Sequence, residues 1–304
     1  MKLIKPIAVT NSVFISSTVA ENDYPAWAAS TAYVVGDLRI RTATHRIYKC
    51  LVAHTSTATP PEQLTGGVTP TWADIAPTNQ RAMFDDVRGT STSGTSPLVV
   101  TLAPGSCSGL ALVDIVGDSV DVTVTNGAGG PTVYSKTVNT NETVIGTIWE
   151  YFFAEAQQKE KIALTDLPID YASARVIITI TGAGTVGCGI CQPGIVYELG
   201  VTENDYQVSF EDFSKKETDP DFGYVSIVPR SDRMLLSAQF EVDFYLVARI
   251  NKLMRAMKRQ VAVYVPVDAE GYETFITVGY AKEFVMTAPN SKFAMCNIEI
   301  EELV

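Results

Sequence analysis

The chain has 304 residues, of which 46% are hydrophobic and 19% charged. That composition forms cores and has length for about two domains of roughly 150 residues, which excludes a mainly disordered chain. Lys+Arg 23 against Asp+Glu 34 leaves a net charge of -11. An acidic chain repels phosphate backbones, so no nucleic-acid partner is expected. No stretch approaches the roughly 20 apolar residues of a membrane-spanning helix, so no membrane insertion is expected.

The five cysteines, Cys50, Cys107, Cys188, Cys191 and Cys296, are scattered and odd in number. They do not form a disulfide framework. Cys188 and Cys191 have the gap of redox and zinc motifs, but a zinc site needs a second pair of ligands at matching spacing. A thioredoxin-type pair needs a strand-to-helix turn, and this one sits within a β run, so two buried or partly buried thiols are expected. Only His45 and His54 are available for imidazole chemistry. No catalytic residue, metal site or cofactor is expected. The 34 acidic residues make chance carboxylate pairs inevitable, yet no motif singles out a glycosidase pair.

Residues 1–21 begin with Lys2 and Lys5, followed by an apolar run broken at Pro6, Thr10, Asn11, Ser16 and Ser17. An uninterrupted apolar stretch would mark a cleaved leader. Alternation and β-branched residues favour an extended arm, pairing with its own domain or with a neighbouring subunit.

Residues 22–78 hold Trp27 and Trp72, two of the chain's three tryptophans. Short strands are predicted at Leu38–Ile40 and Arg46–Val52, and the Thr/Pro/Gly-rich stretch Thr55–Pro70 reads as a loop. The order Trp27, Ala32-Tyr33, Gly36-Asp37, Tyr48-Lys49-Cys50, Pro60-Pro61, Trp72 resembles the small chitin- and cellulose-binding modules of bacterial glycosidases. In that family, aromatic rings form a platform for sugar faces. By position the resemblance assigns this role to Tyr48 and Trp72, with Trp27 and Tyr33 behind them. The alternative is that these rings are the core of a module too small to bury much else.

From residue 79 to about 200 the chain changes to short Val/Ile/Thr-rich runs separated by Gly, Pro, Asn and Asp. Strands are predicted at Leu98–Leu102, Gly109–Ile115, Ser119–Thr125, Thr132–Val138, Lys161–Leu164, Arg175–Thr181 and Thr185–Cys191. This spacing predicts an antiparallel, jelly-roll-like β-sandwich. Val120, Val122 and Val124 alternate with polar neighbours, so one face is buried and one is wet. Trp149, Tyr151, Phe152 and Phe153 are expected to pack in the core. Asp85-Asp86 reads as a solvated turn, since no fuller oxygen set surrounds it.

Residues 201–304 predict an α+β domain. Its strands are expected at Gln207–Phe213, Gly223–Val228, Leu235–Asp243, Val261–Pro266, Thr274–Phe284 and Ala294–Glu301. One main helix is expected at about Tyr245–Arg259, with Val247, Ile250, Leu253, Met254 and Met257 on one face. Arg249, Lys252, Arg255, Lys258 and Arg259 crowd the rest. They read either as a solvated face near a helix C-terminus or as a docking surface for an acidic patch on another subunit.

The fold class expected is therefore mainly β, with a small aromatic β module, a jelly-roll-like sandwich and a C-terminal α+β domain. The segments Pro77–Asp86, Phe213–Gly223, Val228–Met234 and Met295–Leu303 resemble uncharacterised virion proteins from the tail modules of bacteriophages and prophages. That resemblance implies a structural component of the tail tip or baseplate, located in the virion and made in the host cytoplasm. Its implied partners are other tail and baseplate proteins, further copies of the chain, and a bacterial surface glycan. The alternatives are a glycan-binding adhesin and a head decoration protein.

Overall fold

A computed structural model of the chain describes residues 1–143, 146–153, 157–203, 206–218, 222–287 and 292–303. The protein is mainly β with one main helix, as the patterning predicts. The Phe213–Gly223 segment lies partly outside the described residues.

A five-stranded antiparallel sheet runs in the order Thr132–Asn139, Ser119–Asn126, Ala174–Thr181, Leu98–Leu102, Phe14–Ser17. The alternation in these strands is the reason they pair this way. Val120, Val122, Val124, Val176, Ile178 and Ile180 are buried while their neighbours stay half-exposed. They pack against Leu110, Leu112, Cys188 and Cys191 of the facing sheet, which makes the core of the sandwich.

That facing sheet has 11 strands. Its path runs from Lys161–Leu164 through Gly109–Val116, Thr185–Glu198 and Lys2–Pro6. It continues through Ala262–Val265, Thr277–Thr287, Phe293–Glu302 and Asp232–Asp243 to Val201–Thr202. The strand Thr185–Glu198 extends well beyond the predicted Cys191, because its second half pairs with Lys2–Pro6. A break in alternation lies in its neighbour at Asp114, which has φ 54. On one side of it Ile115 faces the sandwich core, while Val113 and Ala111 face a second core with Ile4, Ile190 and Val263. Gly189 makes this geometry fit, since a Cβ there would lie 2.8 Å from the Asp114 Cβ.

The N-terminal arm pairs with its own chain. Leu3 stands opposite Tyr197 on one side and Tyr264 on the other. Both flanking ladders are antiparallel, so the strand joins the sandwich segment to the C-terminal segment within one sheet. Leu3 and Ile4 are fully buried on opposite faces. Leu3 enters the helix-covered core with Leu236, Phe240, Ile250 and Met254, and Ile4 enters the second core.

The C-terminal strands alternate as predicted, with Leu236, Ala238, Phe240, Val242, Cys296, Ile298 and Ile300 buried. The helix spans Val247–Ala256 and follows a 3-10 turn at Phe244–Leu246. It stops short of the predicted Arg259, which adopts φ 66 as the chain turns into the next strand. The strand expected from Thr274 starts at Thr277, because Glu273–Phe275 forms a 3-10 turn. Buried Glu302 near the chain's end takes Lys161 at 2.7 Å and Arg88 at 2.9 Å. Two sandwich-side cations thus hold a carboxylate of the C-terminal segment, the kind of buried cluster in which losing one partner is costly.

Truncating Leu3 leaves a cavity in a fully buried site. Leu3→Ala should lower unfolding free energy by about 2–5 kcal/mol, read from urea unfolding. Lys5→Ala, which removes only a half-exposed side chain, should stay within about 0.5 kcal/mol.

Candidate functional site

In the small module, Leu38–Arg41, Arg46–Cys50 and Trp72–Pro77 form a three-stranded sheet, and Ala32–Tyr33 pairs with His54–Thr55. The rings assigned to a sugar platform turn inward. Trp72 is 0% exposed, Tyr48 2% and Tyr33 3%. They pack with Cys50, and Tyr33 meets Trp72 edge-on at 5.1 Å between centroids. The Trp72 indole N–H donates to His54 Nε2 at 3.2 Å, and His54 Nδ1 donates to the Val52 carbonyl at 2.7 Å. Trp27 is half-buried against this cluster, with the Arg41 guanidinium 5.0 Å above its ring. This corrects the expected platform, since three of its four rings offer no face to a ligand. The physical reason is size: a module of some fifty residues has few other large side chains with which to make a core.

A polar junction joins the module to the sandwich. Glu21 accepts from His45 Nδ1 at 2.9 Å and from the Thr78 hydroxyl at 2.9 Å. Arg81 donates to His45 Nε2 at 3.3 Å, and its guanidinium lies 3.7 Å from the centre of the Phe14 ring. Arg81 therefore fills the junction between module and sandwich. Asp85 accepts from Thr90 and from the Val87 amide, which makes it the turn residue that was expected.

A cleft of about 550 Å³ lies between the strands Thr132–Asn139 and Lys161–Leu164 and the segment 265–276. Its central Lys159 pairs with Glu273 at 2.5 Å. Burial pushes the Glu273 carboxyl up, but the hydrogen bond and charge of Lys159 together with backbone N–H donors outweigh it and hold the group below the usual carboxylate range. These charges neutralise each other inside the cleft.

Two apolar features stand on the surface. The short helix Ile148–Phe153 exposes Ile148, Trp149, Tyr151, Phe152 and Phe153, each more than 60% open to solvent. This corrects the expectation that its aromatics pack in the core. They stack on one another instead, with Trp149 and Phe153 4.1 Å apart. Nothing in the sequence distinguishes the two outcomes, because five apolar residues around one glutamate are too short a stretch for a period that points to a facing layer. The second feature is a two-stranded hairpin, Lys215–Thr218 with Val225–Val228, which pairs with no other strand among the described residues. Phe222, Tyr224, Val225, Ile227 and Val228 are exposed on it.

The helix Val247–Ala256 and the turn that follows it present their cations outward. Arg249, Lys252, Arg255, Lys258 and Arg259 are all exposed. Among the described residues none of them forms an ion pair, although the Arg249 guanidinium lies 6.0 Å from the Tyr197 ring centre. All five cysteines are buried and unpaired. Burial pushes the Cys188 thiol up to about 12 and the Cys191 thiol well above its ordinary value. Among the described residues no group of His, Cys, Asp and Glu could hold a metal ion, and no helix is long and apolar enough to cross a membrane.

The chain matches no family model, no curated protein and no solved structure.

Trp72→Ala should unfold the module locally, at a cost of about 3–5 kcal/mol, seen as loss of hydrogen-exchange protection in 38–50 with the sandwich unaffected. The thiols give a second expectation. Native protein at pH 8 should resist thiol-directed labels until denaturant exposes all five cysteines. The folded-state thiol values are raised, so this contribution to stability is complete below the unfolded value of 9.0. It is lost as pH climbs toward the folded value, so the urea midpoint should fall in alkali.

Proposed function

We propose that this chain is a structural component of a bacteriophage virion, at the tail tip or baseplate, that works through surface contact. The reading rests on the resemblance of its segments to tail-module virion proteins. The observation that carries it is the pair of apolar projections, the helix Ile148–Phe153 and the strand pair Lys215–Thr218 with Val225–Val228. Each keeps large rings in water, and contiguous exposed apolar surface on a folded protein marks a contact site. An isolated two-stranded hairpin is marginal in water unless something packs against it. The interior of the large sheet is closed by Leu3, Ile4 and the Glu302 cluster. A rigid scaffold with sticky projections suits a part that must be mounted among neighbours.

A glycan-binding adhesin is less well supported, because Tyr33, Tyr48 and Trp72 are spent on the core of the module.

Mass spectrometry of purified particles should find the chain, and imaging should locate it on the tail. A Trp149→Ser/Phe152→Ser variant should keep its melting temperature and lose incorporation into particles. Particles that lack the wild-type chain would overturn the reading.

A further inference from the structure

The C-terminal half of the large sheet has two unlike sides. One is covered by the helix Val247–Ala256, which buries Ile250, Met254 and Met257 against Leu236, Phe240 and Ile298. From Phe244 to Val267 the sequence holds no acidic residue. The outward side of the helix is therefore purely cationic, and Arg249, Lys252, Arg255, Lys258 and Arg259 have no counter-ion among the described residues.

The other side of the same strands is open. Pairing sets its side chains in three rows. Glu283, Glu299 and Ser237 make the first row, Val285, Asn297 and Gln239 the second, and Thr287, Met295 and Glu241 the third. Every one of these residues is exposed or half-exposed. The patch carries three carboxylates and no cation. Glu283 and Glu299 stand directly opposite each other across the strands, an arrangement that costs stability unless a cation answers it. The nearby Lys282 pairs with Glu301 at 3.1 Å and lies close enough to Glu299 to feel its charge, so it answers this row only in part. Within the described residues Glu241, Glu283 and Glu299 form no ion pair.

The two sides also agree in size. A ten-residue helix is about 15 Å long and about 10 Å across with its side chains. Three strands about 4.8 Å apart, each contributing five residues of about 3.3 Å, make a patch of about the same dimensions.

We propose that the cationic helix of one copy docks on the acidic open face of the sheet in a second copy. The occupant follows from charge complementarity. The chain already displays, on one face, carboxylates without ion pairs of their own among the described residues, which fit the unpaired cations on the other. Helix and patch point in opposite directions, so each copy engages two neighbours, head to tail. Such an interface is heterologous, and it propagates into a ring or a filament. The inference rests on the reading of the chain as an assembly component and names the surface through which it assembles.

The test is sedimentation velocity of the full chain over a range of protein and salt concentrations. Wild type should self-associate at low salt and dissociate near 1 M NaCl, where screening falls to about 3 Å. A helix reversal, Lys252→Glu/Arg255→Glu, and a patch reversal, Glu283→Lys/Glu299→Lys, should each weaken self-association at least about tenfold. All four positions are exposed, so circular dichroism and melting should be unchanged. Mixing the two variants should restore association, because each then offers what the other lost. A conservative Lys252→Arg/Arg255→Lys variant should associate like wild type. The proposal is overturned by a wild type that stays monomeric at every condition, by reversals that leave association intact, or by mixtures that fail to recover it. It is equally overturned if the helix reversal abolishes binding to anionic vesicles or to a DNA oligomer while self-association persists. A chain present in particles but indifferent to these reversals would sink the docking geometry alone and leave the virion reading standing.

Discussion

The strand Lys2–Pro6 is the constraint on which the architecture depends. It fills the slot between Thr185–Glu198 and Ala262–Val265, and among the described residues no other ladder connects the sandwich segment to the C-terminal segment within the 11-stranded sheet. Without it, two strands of the sheet would each present an unpaired edge, and buried backbone groups left without partners are costly. Its side chains serve both neighbouring cores, Leu3 on one face and Ile4 on the other. The Glu302 cluster adds a second connection, with Arg88 and Lys161 reaching across from the sandwich. Closing these contacts brings together residues from the two ends of the chain, so they are paid in loop entropy before packing returns anything. The C-terminal segment is therefore expected to order late and to depend on the sandwich being in place.

This rigid interior explains how the surface can be so unfavourable locally. The exposed rings of Ile148–Phe153, the lone hairpin and the facing Glu283 and Glu299 each cost something in the isolated chain. A domain of ordinary stability carries only about 5–15 kcal/mol of net folding energy, so such features persist only where the core is secure. Their distribution is also informative. The apolar projections and the charged faces belong to different elements, which gives the molecule several chemically distinct surfaces. Apolar zones hold tightly once water is expelled, whereas charged ones set orientation and partner choice.

Much of this was legible in the sequence where a single buried face imposed a two-residue period. Val120 to Val124, Val176 to Ile180 and Leu236 to Val242 announced strands, and the strands form there. Helical spacing of Ile250, Met254 and Met257 announced the one main helix in the same way. What was not legible depended on contacts distant along the chain. The period of residues 2–6 marks an extended arm but not its two partners, because register with Glu198 and Val265 is decided by packing. The extension of Thr185–Glu198 past Cys191 follows from that same pairing. The exposure of Trp149 and its neighbours was hidden for a different reason. An apolar run marks burial against something, and the sequence does not say whether that something belongs to the same chain.

The aromatic module shows how one residue pattern serves two ends. The order of Trp27, Tyr33, Tyr48 and Trp72 resembles a sugar-binding arrangement, yet the rings are determined by volume before they are available for binding. Trp72, Tyr33, Tyr48 and Cys50 are nearly the whole buried apolar content of the module. Turning Trp72 outward would expose its indole and break its hydrogen bond to His54. It would also remove the surface against which Tyr33 packs edge-on, an arrangement worth about 0.5–1.5 kcal/mol beyond area alone. One sugar stack of about 1 kcal/mol offers far less than that combined loss. With the core closed in this way, the module's outward chemistry passes to its rim. There Val34 and Val35 are exposed, and the Glu21–His45–Arg81 junction fixes its angle on the sandwich. The part-buried contacts of Glu21, His45 and Arg81 thus tie the module to the sandwich through polar groups, while its own rings are used up in its core.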